Sequence, residues 1–146
     1  MADVGLLRSL SDFPAAGLLS ATPVVSDMRG AMAENSALTE LLSGDSHNPY
    51  FWKSGGNAEI DFIFQDELNI IPVEVKSEIN TRSGSLAEYR KRFHPEISLR
   101  TSLKNISVSE SNGEKIFDIP LYLLWNLDQY LRLKQSEMKH KQNSNQ

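Results

Sequence analysis

At 146 residues, with 40% hydrophobic side chains and no cysteine, the chain has the length of one compact domain, and a disulfide framework or thiolate metal site is excluded. No apolar run approaches the ~18 residues of a membrane span. No basic region precedes an apolar segment at Met1, so the expectation is a cytoplasmic protein without a signal peptide or membrane partner. The net charge of −4 argues against a surface that grips nucleic acid everywhere. The charge is uneven, however: residues 1–75 carry three basic and eleven acidic side chains, whereas 76–104 carry seven basic and three acidic ones. That basic block is either a solvated face or a phosphate-contacting one.

In chain order, the first well-punctuated helix is expected from Met28 to Leu42, with Ser26 or Asp27 as its N-terminal cap and Gly44 beyond its end. Met28, Ala31, Met32, Ala37, Leu38, Leu41 and Leu42 form its apolar stripe. Glu34 lies beside the stripe, either at its solvated edge or aimed into a functional cleft. Residues 45–57 read as a loop with a short strand at Tyr50-Phe51-Trp52, and His47 in it reads as a surface residue without a second ligand.

Residues 58–77 are the informative stretch. Ala58, Ile60, Phe62 and Phe64 alternate with polar neighbours, as do Ile71, Val73 and Val75. A hairpin centred between Glu67 and Leu68 sets Phe62 opposite Val73, Ile60 opposite Val75 and Phe64 opposite Ile71, giving one wholly apolar face. A one-residue slip destroys that face, so the pattern selects the register. The same register sets Asp61 opposite Glu74 and Glu59 opposite Lys76. Two carboxylates across a strand pair repel, which a structural sequence avoids and a magnesium site, built on hard oxygen ligands, requires. Lys76 emerges on the Glu74 face two residues on, within reach of an attacking water or a phosphate oxygen. The competing reading is a solvated strand face carrying an ion pair.

Downstream, Ser85-Leu86-Ala87-Glu88 reads as a capping box opening a short helix with Leu86, Tyr89 and Phe93 on one side, closed by His94-Pro95. A strand is expected from Glu96 to Thr101, a short one at Ile106-Ser107-Val108, and a turn at Ser111-Asn112-Gly113. Pro120 opens a last helix, Leu121 to Leu133, with Tyr122 and Trp125 read as core residues. The polar tail from 134 to 146 is expected to be disordered, leaving 1–133 as the single domain.

The segments Asp-Val-Gly-Leu-Leu (3–7), Gly-Ala-Met-Ala-Glu-Asn (30–35), Leu-Thr-Glu-Leu-Leu (38–42), Tyr-Phe-Trp-Lys-Ser (50–54), Glu-Ile-Asp-Phe (59–62), Pro-Val-Glu-Val-Lys (72–76) and Ile-Pro-Leu-Tyr-Leu (119–123) carry a family resemblance. Together they resemble the C-terminal domain of unknown function, number 4143 in its series, of a large group of prokaryotic AAA-superfamily ATPases. The resemblance covers roughly residues 3–131, and the chain starts almost inside that family's first strand.

The resemblance implies an α/β fold of the PD-(D/E)xK nuclease-like kind, a mixed central sheet flanked by helices. In active members of that superfamily the Asp and Glu hold a divalent metal, the middle residue's carbonyl joins them, and the Lys orients or activates water. Those roles fall on Asp61, Glu74, the Val75 backbone and Lys76, and the helix glutamate that often completes such sites corresponds to Glu34. Magnesium, or manganese in its place, is the implied cofactor. DNA and an ATPase subunit or domain are the implied partners, and an oligomer is compatible. Ile60 stands where the motif name has proline, and no Gly-x-x-x-x-Gly-Lys-Ser/Thr loop occurs, so the chain is not itself the ATPase. Arg82, Arg90, Lys91 and Arg92 follow the site strand and are the expected phosphate contacts. Two expectations stand against each other: a metal-dependent phosphodiesterase acting on DNA, and a catalytically silent module binding nucleic acid or an ATPase. An inert remnant of a truncated gene is the third.

Overall fold

The computed structural model describes residues 3–14, 16, 22–43, 48–66, 69–78, 84–127 and 129–132. The α/β expectation holds: a six-stranded mixed sheet, ordered β1-β2-β3-β4-β6-β5, carries helices on both faces. Its strands are β1 (Tyr50–Lys53), β2 (Glu59–Asp66), β3 (Asn69–Val75), β4 (Ile97–Ser102), β5 (Ser107–Ser111) and β6 (Glu114–Pro120). Among the described residues, α1 covers Val4–Leu10, α2 Pro23–Ser43 and α3 Gly84–Phe93, and a 3-10 turn at Leu121–Asn126 leads into further helical residues at 127 and 129–132. Strands β3, β4 and β6 run parallel, while β1, β2 and β5 are antiparallel to their neighbours.

The β2–β3 hairpin adopts the register its alternation demands, Phe62 facing Val73 and Phe64 facing Ile71. Its turn at Glu67-Leu68 lies outside the described residues. Ile60 departs from expectation. Val75 joins the apolar layer of Ala33 and Ala37 on α2, but Ile60 packs on the other layer with Leu86 and Tyr89 of α3. The cause is a bulge in β2: its pairing with β1 shifts between Trp52 opposite Ile60 and Tyr50 opposite Ile63. One additional residue in a strand exchanges its faces and bends it locally.

The α2 layer contains the larger core. Ala33 and Ala37 pack with Phe64, Val73, Leu99, Phe117, Leu124 and Leu131, and small residues on α2 let it lie close to the sheet. The opposite layer is aromatic: Trp52 meets Tyr89 and Phe93 edge-on at 5.2 and 5.7 Å between ring centroids. Strand β3 is buried from Ile71 through Val75 and β4 nearly throughout, as strands covered on both faces are.

Several sequence expectations are corrected. Asp-Val-Gly-Leu-Leu is helical, not a strand, because Asp3 Oδ1 accepts from the Gly5 and Leu6 N–H groups and caps α1. Helix α2 begins at Pro23, before Ser26 and Asp27, since proline suits the first helical position. Its buried line runs through Met32, Ala33 and Ala37, with Ala31 and Leu42 exposed. Ser85 does not cap α3; it lies in the first turn, and its hydroxyl accepts from Glu59 N–H at 3.3 Å. Strand β6 was not anticipated, and β5 extends to Ser111. Tyr122 and Trp125 are exposed, 69% and 55%, rather than core. His47, Gly44 and the tail from 133 onward lie outside the described residues.

Candidate active site

At the C-terminal end of β3 the chain presents Glu74, Val75 and Lys76 in succession. Lys76 N–H donates to Thr101 C=O on β4, so the Val75 N–H points the other way, toward β2. The paired residues of β2 and β3 end at Phe62 and Val73, and beyond them Asp61 Oδ2 accepts the Val75 N–H at 2.7 Å. The bulge thus places the Asp61 carboxylate where a strand carbonyl would have been. Beside it Lys76 Nζ meets Glu74 Oε1 at 2.6 Å. Glu74 is only 4% exposed, and a polar side chain so buried is costly without a partner such as the Lys76 ammonium. Glu59, expected opposite Lys76, pairs instead with Lys53 at 3.1 Å, both exposed and contributing little.

The charges are crowded. Burial, foremost, pushes the Asp61 carboxyl up to about 7, with Glu74 and Glu34 adding to the rise while the Val75 hydrogen bond and Lys76 oppose it. Glu34 is solvent-exposed on α2, yet its carboxyl is also raised, first by partial desolvation, then by Glu59 and Glu74, with Lys76 opposing. The fold therefore brings Asp61, Glu74, Lys76 and Glu34 within electrostatic reach of one another. Hard oxygen donors with a carboxyl destabilised by its neighbours suit a divalent cation such as magnesium in kind. Among the described residues no three His, Cys, Asp or Glu side chains converge at metal-ligand spacing. A cation there would keep several waters, as magnesium commonly does.

The structure does not bring the basic helix residues to this cluster. Helix α3 starts near Glu59, at the site end, and runs to the opposite end of the sheet, where Arg90 pairs with Glu114 at 3.0 Å. His94 shares Glu114 at 2.9 Å, and the Arg92 guanidinium lies 5.3 Å from the Phe93 ring. Lys91 is exposed at that same end. The separation is roughly the length of β3, about 20 Å at ~3.3 Å per residue. Arg82 lies outside the described residues.

Sequence reasoning passed over a polar row beside Glu74. Glu74 on β3, Arg100 on β4 and Asp118 on β6 are register neighbours. Arg100 holds Asp118 through two bonds, Nε to Oδ1 at 2.6 Å and Nη2 to Oδ2 at 2.9 Å, and Ser107 Oγ donates to the same carboxylate at 3.1 Å. The signal was available: an arginine inside an apolar strand must find a counter-charge.

Among known families, the one described as Domain of unknown function (DUF4143) matches residues 29–122, more than half of the chain. No curated protein matches the sequence. No helix among the described residues is long and apolar enough to cross a membrane.

Proposed function

The chain belongs to the DUF4143 family, and we propose that it carries a metal-dependent phosphodiesterase site of the PD-(D/E)xK type, acting on DNA. The observation that supports this most is the bulge in β2, which delivers the Asp61 carboxylate to the Val75 N–H beside the Glu74–Lys76 pair. A fold under no functional demand would not be expected to gather like charges at the end of a central strand.

Asp61, Glu74 and the Val75 carbonyl are the groups that would hold magnesium or manganese, with Glu34 as an outer carboxylate. A bound ion supplies charge neutralisation at the phosphate and a more acidic water. Lys76, at 31% side-chain exposure, reaches solvent while bonded to Glu74 and can orient a water or meet a phosphate oxygen. With its carboxyl pushed up to about 7, chiefly by burial, Asp61 is half-ionised near neutral pH and gains its full charge as pH rises further. An ATPase of the same group of proteins, on the same chain or another, is the partner proposed to deliver the substrate.

A second reading, a silent module that binds nucleic acid or that ATPase, is favoured by one observation. Lys76 already neutralises Glu74, and no three potential ligands converge among the described residues. Incubation of the protein with single- and double-stranded DNA in magnesium or manganese separates the two. Cleavage lost in Asp61→Asn and Lys76→Ala supports the enzyme; binding without cleavage in either metal supports the silent module.

A further inference from the structure

We propose that a cavity of about 390 Å³ beside Lys76 is a nucleotide subsite, whose rim cations hold a phosphate of a single strand while an apolar floor takes the adjoining nucleoside. The proposal rests on the phosphodiesterase reading and names the part of the substrate that the same site would hold.

The cavity lies between α1, α2 and the ends of β3 and β4. Arg8, Arg29 and Lys76 line it, and no carboxylate does among the described residues, in a chain whose net charge is −4. Arg29 and Lys76 each already share a carboxylate, Glu78 and Glu74, so a phosphate in the cavity would compete with those anions for them and meet Arg8 besides. Met32, Leu103 and Leu121 supply the floor. The volume is toward the small end of ligand pockets, roughly 300–1,000 Å³, and suits one nucleotide rather than a duplex. A base stacked within a duplex could not reach such a floor without unpairing, so a single strand or frayed end is the form that fits.

Arg29 is the second cation of the lining. Its Nη2 holds Glu78 at 3.0 Å, with both side chains partly exposed. A phosphate can take the same guanidinium fork in place of the carboxylate, since guanidinium geometry suits both anions. Lys76 joins the cavity to the carboxylates through its 2.6 Å contact with Glu74. A strand seated in the cavity would therefore enter the site directly.

The test is fluorescence anisotropy with a labelled, 5′-phosphorylated oligothymidylate in a metal chelator, so that no catalysis is required. The parent should bind, and Arg8→Ala and Arg29→Ala should each weaken binding about tenfold, the scale of a charge-assisted hydrogen bond. Arg29→Lys should restore part of the loss. Thymidine 5′-monophosphate should displace the probe, and polyglutamate should not. Unchanged affinity in Arg8→Ala and Arg29→Ala, or equal displacement by polyglutamate, overturns the subsite. If Arg29→Ala does not fold, Arg8→Ala on the short outer helix decides alone. Binding that follows this pattern without any cleavage in magnesium keeps the subsite and removes the phosphodiesterase; cleavage with affinity indifferent to both arginines does the reverse.

Discussion

The Asp61 carboxylate accepts the Val75 backbone N–H at 2.7 Å, so a side chain of β2 completes a ladder that its own backbone has left. The bond fixes the distance between two strands where one would otherwise splay from the other. It also commits a carboxyl to a half-buried position next to Glu74, a conflict that the surrounding packing holds in place.

That conflict sets a pH dependence. Burial raises the Asp61 carboxyl from 3.8 to about 7, so between those values the folded protein retains a proton that the unfolded chain has lost. Its contribution to stability is fully present below about pH 4 and is lost as pH rises toward 7. Asp61→Asn keeps an acceptor for Val75 N–H and removes the charge. Above pH 7 the variant should be the more stable by on the order of 2 kcal/mol, about half of what ~1.4 kcal/mol per tenfold change in proton affinity would give for a fully buried carboxyl, because solvent reaches Asp61 and screens it. Denaturant melts at pH 5 and pH 8 check this, and parallel pH profiles for both proteins would contradict it.

Magnesium should reverse the penalty. A ligand that binds only the folded state adds about 2.7 kcal/mol at a concentration a hundredfold above its Kd. The melting temperature of the parent should therefore rise with added magnesium, more at pH 8 than at pH 5, while Asp61→Asn should barely respond. Equal responses would show that no ion is held by Asp61.

Lys76 carries both structure and chemistry. Lys76→Ala leaves the Glu74 carboxylate, 4% exposed, without its ammonium partner. The loss should be about 1–3 kcal/mol, below the full value for a buried pair because Lys76 is one-third exposed. Adding Glu74→Gln should return much of that stability and none of the cleavage.

Arg100 should prove the most sensitive cation in the sheet. Arg100→Met strips two hydrogen bonds from Asp118, whose side chain is 6% exposed, and should cost about 3 kcal/mol. The double variant Arg100→Met, Asp118→Leu should recover most of the loss in urea melts. A single variant as stable as the parent would mean that the pair is solvated after all.

Lys91 and Arg92 lie at the far end of α3 from the site. Replacing both with alanine should leave cleavage of a short single strand unchanged and weaken only the binding of a long duplex. The salt slope for that duplex should fall by ~0.9 for each phosphate no longer neutralised. Slower cleavage of the short strand would place these residues nearer the carboxylates than α3 allows.

The hairpin was legible because alternation leaves one acceptable register for Phe62, Phe64, Ile71 and Val73. The bulge at Asp61 was not, since a strand that exchanges faces looks locally like one that does not. Alternation alone therefore puts Ile60 in the wrong layer and gives Glu59 the wrong partner. Strand β6 escapes notice because its Ile116-Phe117-Asp118-Ile119 run is short and precedes a proline that suggests only a helix start. Without β6 the partner of Arg100 is invisible. The basic block misleads for a related reason: α3 follows the site strand in sequence, but a crossover between parallel strands carries its end to the opposite rim.

The two tryptophans occupy unlike surroundings, and this divides the protein's fluorescence between two regions. Trp52 is half-covered and held edge-on by Tyr89 and Phe93, whereas Trp125 is 55% exposed on the 3-10 turn. A soluble quencher should silence Trp125 first, and the bluer emission that remains should report on the α3 layer alone. Loosening of that layer could then be followed separately from the turn that caps the opposite face.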